Sequence, residues 1–142
     1  MNNKTLNKYD ISLYLEDYFI PEGIVSIEKN TFCNHKELTH VSLPNSLKEI
    51  GENCFKESNI KWIIIPEGVT EIKDNAFYKC TELKLISLPT SLQRIGNYAF
   101  AYTNIEFITI PNNVSIGKNI LFGCKNLKKI YCNTFLKNEL MI

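Results

Sequence analysis

Residues 42–51 read SLPNSLKEIG and residues 87–96 read SLPTSLQRIG, with seven of the ten positions identical at an offset of 45 residues. Between them, IIPEGVTEIK at 64–73 echoes FIPEGIVSIE at 19–28, again 45 residues earlier. The duplication is therefore nested, and its smaller period is set by proline. All five prolines (Pro21, Pro44, Pro66, Pro89 and Pro111) belong to one series spaced 23, 22, 23 and 22 residues apart. Three residues after each stands Ile24, Leu47, Val69, Leu92 or Val114, and eleven after each stands Phe32, Phe55, Phe77, Phe100 or Phe122. One unit of about 22 residues thus appears five times.

Before each proline, apolar residues recur six, three and one positions upstream, from Leu15/Tyr18/Ile20 through Ile60/Ile63/Ile65 to Leu127/Ile130/Cys132, where Asn133 replaces proline. Alternation of the last two, with many β-branched residues, predicts a short strand. Proline lacks an amide donor and stops that strand. Pro-Glu-Gly at 21–23 and 66–68 predicts a tight turn with proline at its second position. The apolar residue after the turn, an isoleucine (Ile27, Ile50, Ile72, Ile95) and the phenylalanine then face inward. One such unit cannot enclose these side chains, but stacked copies cover each other's apolar faces. The pattern predicts a repeat solenoid of the α/β type, mostly β and irregular, with six parallel strands roughly 4.8 Å apart forming a face about 25 Å wide.

The 45-residue echo adds a second level. Phenylalanine is followed after six residues by the next unit's first apolar residue in units one and three (Phe32 to Leu38, Phe77 to Leu83), and after five in units two and four (Phe55 to Ile60, Phe100 to Ile105). Ile116-Gly117 arrives one place early, which marks the fifth unit as the one that closes the array. The chain divides into a cap over 1–14, a five-unit array over 15–132, and a cap or tail over 133–142.

The run NAFYKCTELKLISLPTSLQRIG, with Ala76-Phe77, Cys80, Leu83, Ile86, Leu88-Pro89, Leu92 and Ile95, resembles the leucine-rich repeats called BspA-like or Treponema-type. The resemblance extends over about residues 15–132. It implies a right-handed solenoid with strands on the concave side, and membership in a group of bacterial or protozoan surface proteins that bind other proteins.

Composition narrows the function classes. Sixteen basic and fifteen acidic side chains give a net charge of +1, so no overall field draws nucleic acid or an anionic membrane. The longest apolar run, Trp62 to Ile65, is far short of the roughly 20 residues of a membrane span. Asp10, Glu16 and Asp17 interrupt the segment where a signal peptide needs continuous apolar sequence. With five cysteines lacking close pairing, this predicts reduced thiols and a cytoplasmic protein, the cell surface being the alternative for a piece of a secreted chain.

Chemistry-bearing residues are sparse. His35 and His40 lie five apart with no nucleophile motif beside them, and with Cys33 they fit no metal spacing. The glycines sit at turns, Cys80, Cys124 and Cys132 fall in inward slots, and Cys54 takes the place of Ala76 and Ala99. Asn30, Asn53, Asn75, Asn97 and Asn119 are expected to bond turn backbone through their side chains. No enzyme, cofactor or metal is expected.

What remains is the outward side of the strands. Alternation places Asp17, His40, Trp62, Leu85, Phe107 and Lys129 in one outward column and Phe19, Ser42, Ile64, Ser87, Thr109 and Tyr131 in the other. Trp62, Leu85 and Phe107 in succession, with Ile64 beside them and Lys61, Lys84, Glu106 and Lys129 around them, have the form of a binding patch. Tryptophan is a frequent interface anchor. The sequence therefore predicts a protein-binding module acting through its strand face, with Trp62, Ile64, Leu85, Phe107, Tyr131, Phe19 and His40 as contact residues. A surface adhesin or structural repeat fragment that recognises host or matrix protein is the alternative. The apolar tail with Phe135, Leu136, Leu140, Met141 and Ile142 is expected to cap the array or to pair with a second copy as a homodimer.

Overall fold

A computed structural model describes residues 4–8, 15–133 and 140. Among the described residues twelve strands make up the regular structure: β1 (Lys4–Leu6), β2 (Asp17–Phe19), β3 (Ile24–Ile27), β4 (His40–Ser42), β5 (Glu49–Ile50), β6 (Trp62–Ile64), β7 (Glu71–Ile72), β8 (Leu85–Ser87), β9 (Arg94–Ile95), β10 (Phe107–Thr109), β11 (Ser115–Ile116) and β12 (Lys129–Tyr131). Each coil runs from an even-numbered front strand through a proline turn to an odd-numbered back strand. Coils 1 to 5 therefore begin at β2, β4, β6, β8 and β10, and β12 opens a sixth.

All pairings are parallel. The back strands join in one six-stranded sheet ordered β1-β3-β5-β7-β9-β11. Four of them, β5, β7, β9 and β11, have two residues each, too few for sequence alternation to register, and β1 adds itself at the edge through Lys4↔Ile24 and Leu6↔Ile27. The front strands form not one sheet but two, β2-β4-β6-β8 and β10-β12.

The core is a set of vertical stacks. Phe32, Phe55, Phe77 and Phe100 are fully buried, with successive centroids 5.0, 5.1 and 5.7 Å apart and ring planes within 23°. Ile27, Ile50, Ile72 and Ile95 form a second buried stack, as do the inward front residues Val41, Ile63, Ile86 and Ile108. Leu15 departs from the pattern at 43 % exposure, because no described front strand precedes β2 to cover it.

Phe122 also departs from expectation. Phe100 N–H donates to Ile120 O as Phe77 N–H does to Ala99 O, so Leu121 occupies the phenylalanine slot. The cause is the missing residue between Val114 and Ile116, which moves the rung forward by one. Leu121 is 2 % exposed, whereas Phe122 turns out to 48 % and lies edge-on to Tyr102 at 5.5 Å.

Two backbone details correct the local reading. The turn bonds run from Ile24, Leu47, Val69 and Leu92 N–H back to Pro21, Pro44, Pro66 and Pro89 O, so proline is the first turn residue, not the second. Gly68 then takes the third position with φ of +102°, as a type II turn requires. The asparagines are placed by backbone conformation: Asn30, Asn53, Asn75 and Asn119 have φ between 53° and 62°, a left-handed region that asparagine enters more readily than most residues. In coil 4 that position is Tyr98, at φ 55°. Asn97, one residue earlier, does bond backbone, accepting Lys118 N–H on Oδ1 at 2.8 Å.

Consecutive coils approach closely at the end of the repeated stretch. A Cβ added to Gly96 would stand 2.4 Å from Asp74 N, and one added to Gly51 would stand 2.5 Å from Ile27 O. Both conserve the spacing that lets each back strand lie against the one before it.

Candidate binding face

The front strands carry the outward columns in register. Asp17 pairs with His40 and Phe19 with Ser42, His40 pairs with Trp62, and Trp62 pairs with Leu85 and Ile64 with Ser87. Phe107 pairs with Lys129 and Thr109 with Tyr131. Phe19 is 78 % exposed, Ile64 and Leu85 59 %, Tyr131 47 %, Phe107 46 % and Trp62 43 %. A tryptophan with a phenylalanine, a leucine and an isoleucine this open on one face departs from the usual polar outer side of a strand.

The structure does not gather all seven expected contact residues into one place. Phe19, His40, Trp62 and Ile64 line a depression of about 580 Å³ across coils 1 to 3, whose lining also includes Asp17 and Ser42. His40 is half-buried there, with Nδ1 2.8 Å from Asp17 Oδ1 and 3.1 Å from Thr39 Oγ1, and its ring centre is 5.0 Å from that of Trp62. Leu85 and Phe107 stand on strands that share no ladder. Tyr131 lines a separate hollow of about 530 Å³ with Thr90, Thr109 and Asn112.

Charge frames the far end. Lys128 pairs with Glu106, and the pair lowers the Glu106 carboxyl below its usual range, through the bond from Lys128 first. Lys128 Nζ lies 5.7 Å from the Phe107 ring centre and Lys129 Nζ 4.7 Å from that of Tyr131. These are the geometries of cation–π contacts.

The other reactive side chains are dispersed. His35 lies on the return segment edge-on to Phe32, where burial lowers its pKa. The Cys80 thiol is pushed up to about 12 by burial and donates to Phe55 O at 2.9 Å, and burial also raises Cys54 well above its ordinary value. Burial also raises Cys33, the leading effect over the opposing field of Lys56. Such thiols are neutral near pH 7 and poor nucleophiles. Among the described residues no cluster of histidine, cysteine and carboxylate side chains has the form of a metal site.

One surface feature escaped the sequence reading. Tyr78, Tyr98, Tyr102 and Phe122 meet edge to face at 5.5 to 6.4 Å where the coils turn away from the back sheet, with Lys56 and Lys79 within 5.6 Å of the Tyr78 ring. Aligning the fifth unit on Leu121 in place of Phe122 would have revealed it. Of the C-terminal tail, Leu140 is buried against the core. The rest of the proposed tail contacts, and with them the homodimer reading, lie outside the described residues, as does most of the 1–14 cap.

Stacked parallel coils, each stopped by proline and filled by one phenylalanine-type rung, define a leucine-rich-repeat solenoid. The chain belongs to the BspA-type leucine-rich-repeat family, whose sequence model matches residues 7–136 in six copies. Its structure is similar to that of a Treponema pallidum leucine-rich-repeat protein (TM-score 0.77, 30 % identity), covering 81 % of this chain and 57 % of that one. It is also similar to the pneumococcal vaccine antigen PcpA (TM-score 0.76, 27 % identity, 82 % of this chain and 30 % of that one). A leucine-rich-repeat protein of Bacteroides ovatus matches with TM-score 0.71 at 26 % identity, over 81 % of this chain and 37 % of that one. The chain thus spans between about a third and three-fifths of these structures. No curated protein sequence matches it. Among the described residues no helix is long and apolar enough to cross a membrane.

Proposed function

We propose that the protein is a binding module, not an enzyme, which presents the concave front face of its solenoid to another protein. The observation that carries this reading is the set of exposed Trp62, Ile64, Leu85 and Phe107 on three successive front strands, Trp62 in register with Leu85, whose backs are fixed to a continuous core. Side chains already ordered by the scaffold lose little further freedom on docking. The test is the pair of substitutions Trp62→Asp and Phe107→Asp, both at outward positions. The double variant should keep the thermal transition of the parent and lose capture of the natural partner in cross-linking pull-downs from the native cell. Undiminished capture would sink the proposal.

A second reading is adhesion at a cell surface. It draws support from two structural neighbours described as a pneumococcal vaccine antigen and, in Faecalibacterium prausnitzii, as a leucine-rich cell surface protein (TM-score 0.51, 25 % identity). The alternative compartment is the cytoplasm, with which five free cysteines are compatible. Surface labelling of intact native cells separates the two: labelled chain supports adhesion, and recovery with the cytosol supports the intracellular module.

A further inference from the structure

The geometry points to a specific chemistry for the depression on coils 1 to 3: it receives an arginine side chain of the bound partner. The assignment rests on the front face being the binding surface and says what the face selects. The depression is lined by Asp17, Phe19, His40, Ser42, Trp62 and Ile64 among others, and none of the lining residues is lysine or arginine. Asp17 is the only carboxylate among them. A concave, mainly apolar site whose one carboxylate faces no lysine or arginine, and has only the His40 ring as partner there, favours a cation.

The rings decide which cation. Phe19 is the most exposed large apolar residue on the front face, and Trp62 is held by the His40 ring at 5.0 Å and 56°. His40 is itself fixed by Asp17 and Thr39, so the wall is ordered before anything binds. A guanidinium is planar, weakly hydrated, stacks on aromatic faces and offers paired N–H donors that match a carboxylate. Asp17 spends one acceptor position on His40 Nδ1, and a carboxylate has about four, so room for a forked contact remains. The ammonium of lysine is a compact, strongly hydrated charge and gains less from such a wall. A volume of about 580 Å³ exceeds one side chain, so an apolar neighbour of the arginine can lie along Ile64.

The test uses Trp62, the only tryptophan of the chain, as its own fluorescent reporter. A blocked Gly-Leu-Arg-Leu-Gly peptide is titrated beside versions carrying citrulline, which keeps the shape without the charge, or lysine. The arginine peptide should shift Trp62 emission saturably, with citrulline at least tenfold and lysine severalfold weaker. Asp17→Asn should remove about tenfold of the arginine binding while leaving the thermal transition in place. Equal binding of arginine and citrulline, equal binding of arginine and lysine, no response to arginine, or no effect of Asp17→Asn would each overturn the assignment. If partner capture is lost in the Trp62→Asp, Phe107→Asp variant but intact in Asp17→Asn, the face binds and the arginine assignment falls alone.

Discussion

The contacts between coils 1 and 2 repeat almost atom for atom between coils 3 and 4, and neither set recurs between coils 2 and 3 or 4 and 5. At the first junction Glu22 accepts Asn45 N–H at 2.9 Å, Gly23 N–H donates to Ser46 Oγ at 2.9 Å, and Ser46 Oγ donates to Ile24 O at 2.7 Å. At the third, Glu67 accepts Thr90 N–H at 2.9 Å, Gly68 N–H donates to Ser91 Oγ at 2.9 Å, and Ser91 Oγ donates to Val69 O at 2.8 Å. These bonds hold the Glu67 carboxyl below the usual range, the Thr90 amide contributing most. The front strands follow the same alternation. Three register pairs join β2 to β4, β6 to β8 and β10 to β12, one joins β4 to β6, and β8 and β10 share none.

The difference lies in which turn offers what. A Pro-Glu-Gly turn points a carboxylate and a bare amide at the following coil, and the Pro-X-Ser turn of that coil answers with two amides and a hydroxyl. From the Pro-X-Ser turn onward nothing of the kind is presented. The mechanical unit is therefore a pair of coils, 45 residues long, clasped at the front internally and joined to the next pair mainly through the core and the unbroken back sheet. The core should not share this alternation, because Phe77 is as close to Phe55 across a pair boundary, 5.1 Å, as to Phe100 inside its pair, 5.7 Å. Phe77→Ala attacks that shared stack. It should cost about 3–5 kcal/mol, the range for emptying a buried phenylalanine site, and should collapse one cooperative denaturation transition. Separate transitions for the two halves would break the comparison at its root.

The clasp itself makes a smaller target. Ser91→Ala leaves Gly68 N–H and Val69 O without the hydroxyl that links them, for a loss of about 1–3 kcal/mol. Ser46→Ala should cost a similar amount by the same geometry. Asn112, one residue after the proline of coil 5 as Thr90 is in coil 4, is exposed, and Asn112→Ala should lie within about 0.5 kcal/mol of the parent in denaturant titration. Equal losses at Ser91 and Asn112 would show that the clasp adds nothing.

Much of this was legible before any coordinates. The spacing of prolines and phenylalanines fixed the coil period because, in a stack, each sequence position maps to one place in space. The outward columns followed from strand alternation, and Trp62 and Phe107 stood out for their size. The back sheet was hidden because two residues carry no period. Phe122 misled because identity of residue type outweighed a one-residue deletion. Asp17 beside His40 and Trp62 was visible only as a column, and the depression needed the register. The meaning of the 45-residue echo was hidden most deeply, since a carboxylate reaching two amides in the next coil leaves no trace beyond Glu-Gly in one copy and Ser in the other.

One further sign of the pairing is written in the residue before each proline. In coils 1, 3 and 5 it is Ile20, Ile65 and Ile110, each buried, with N–H donating to Ser42, Ser87 and Tyr131 O of the next coil at 3.0, 2.9 and 2.8 Å. In coils 2 and 4 it is Leu43 and Leu88, half-buried, and no backbone bond to the next coil is seen from either amide. An amide held in a sheet exchanges its hydrogen only on local opening, whereas one without that bond needs no such event. Hydrogen exchange should therefore be on the order of tenfold or more faster at Leu43 and Leu88 than at Ile65, a difference that corresponds to about 1.4 kcal/mol of opening free energy. Ile20 and Ile110 should lie on the protected side unless fraying at the ends of the array overtakes them. Equal protection of Leu88 and Ile65 would mean that the front of the solenoid is as continuous as its back, and that the 45-residue echo governs turn chemistry alone.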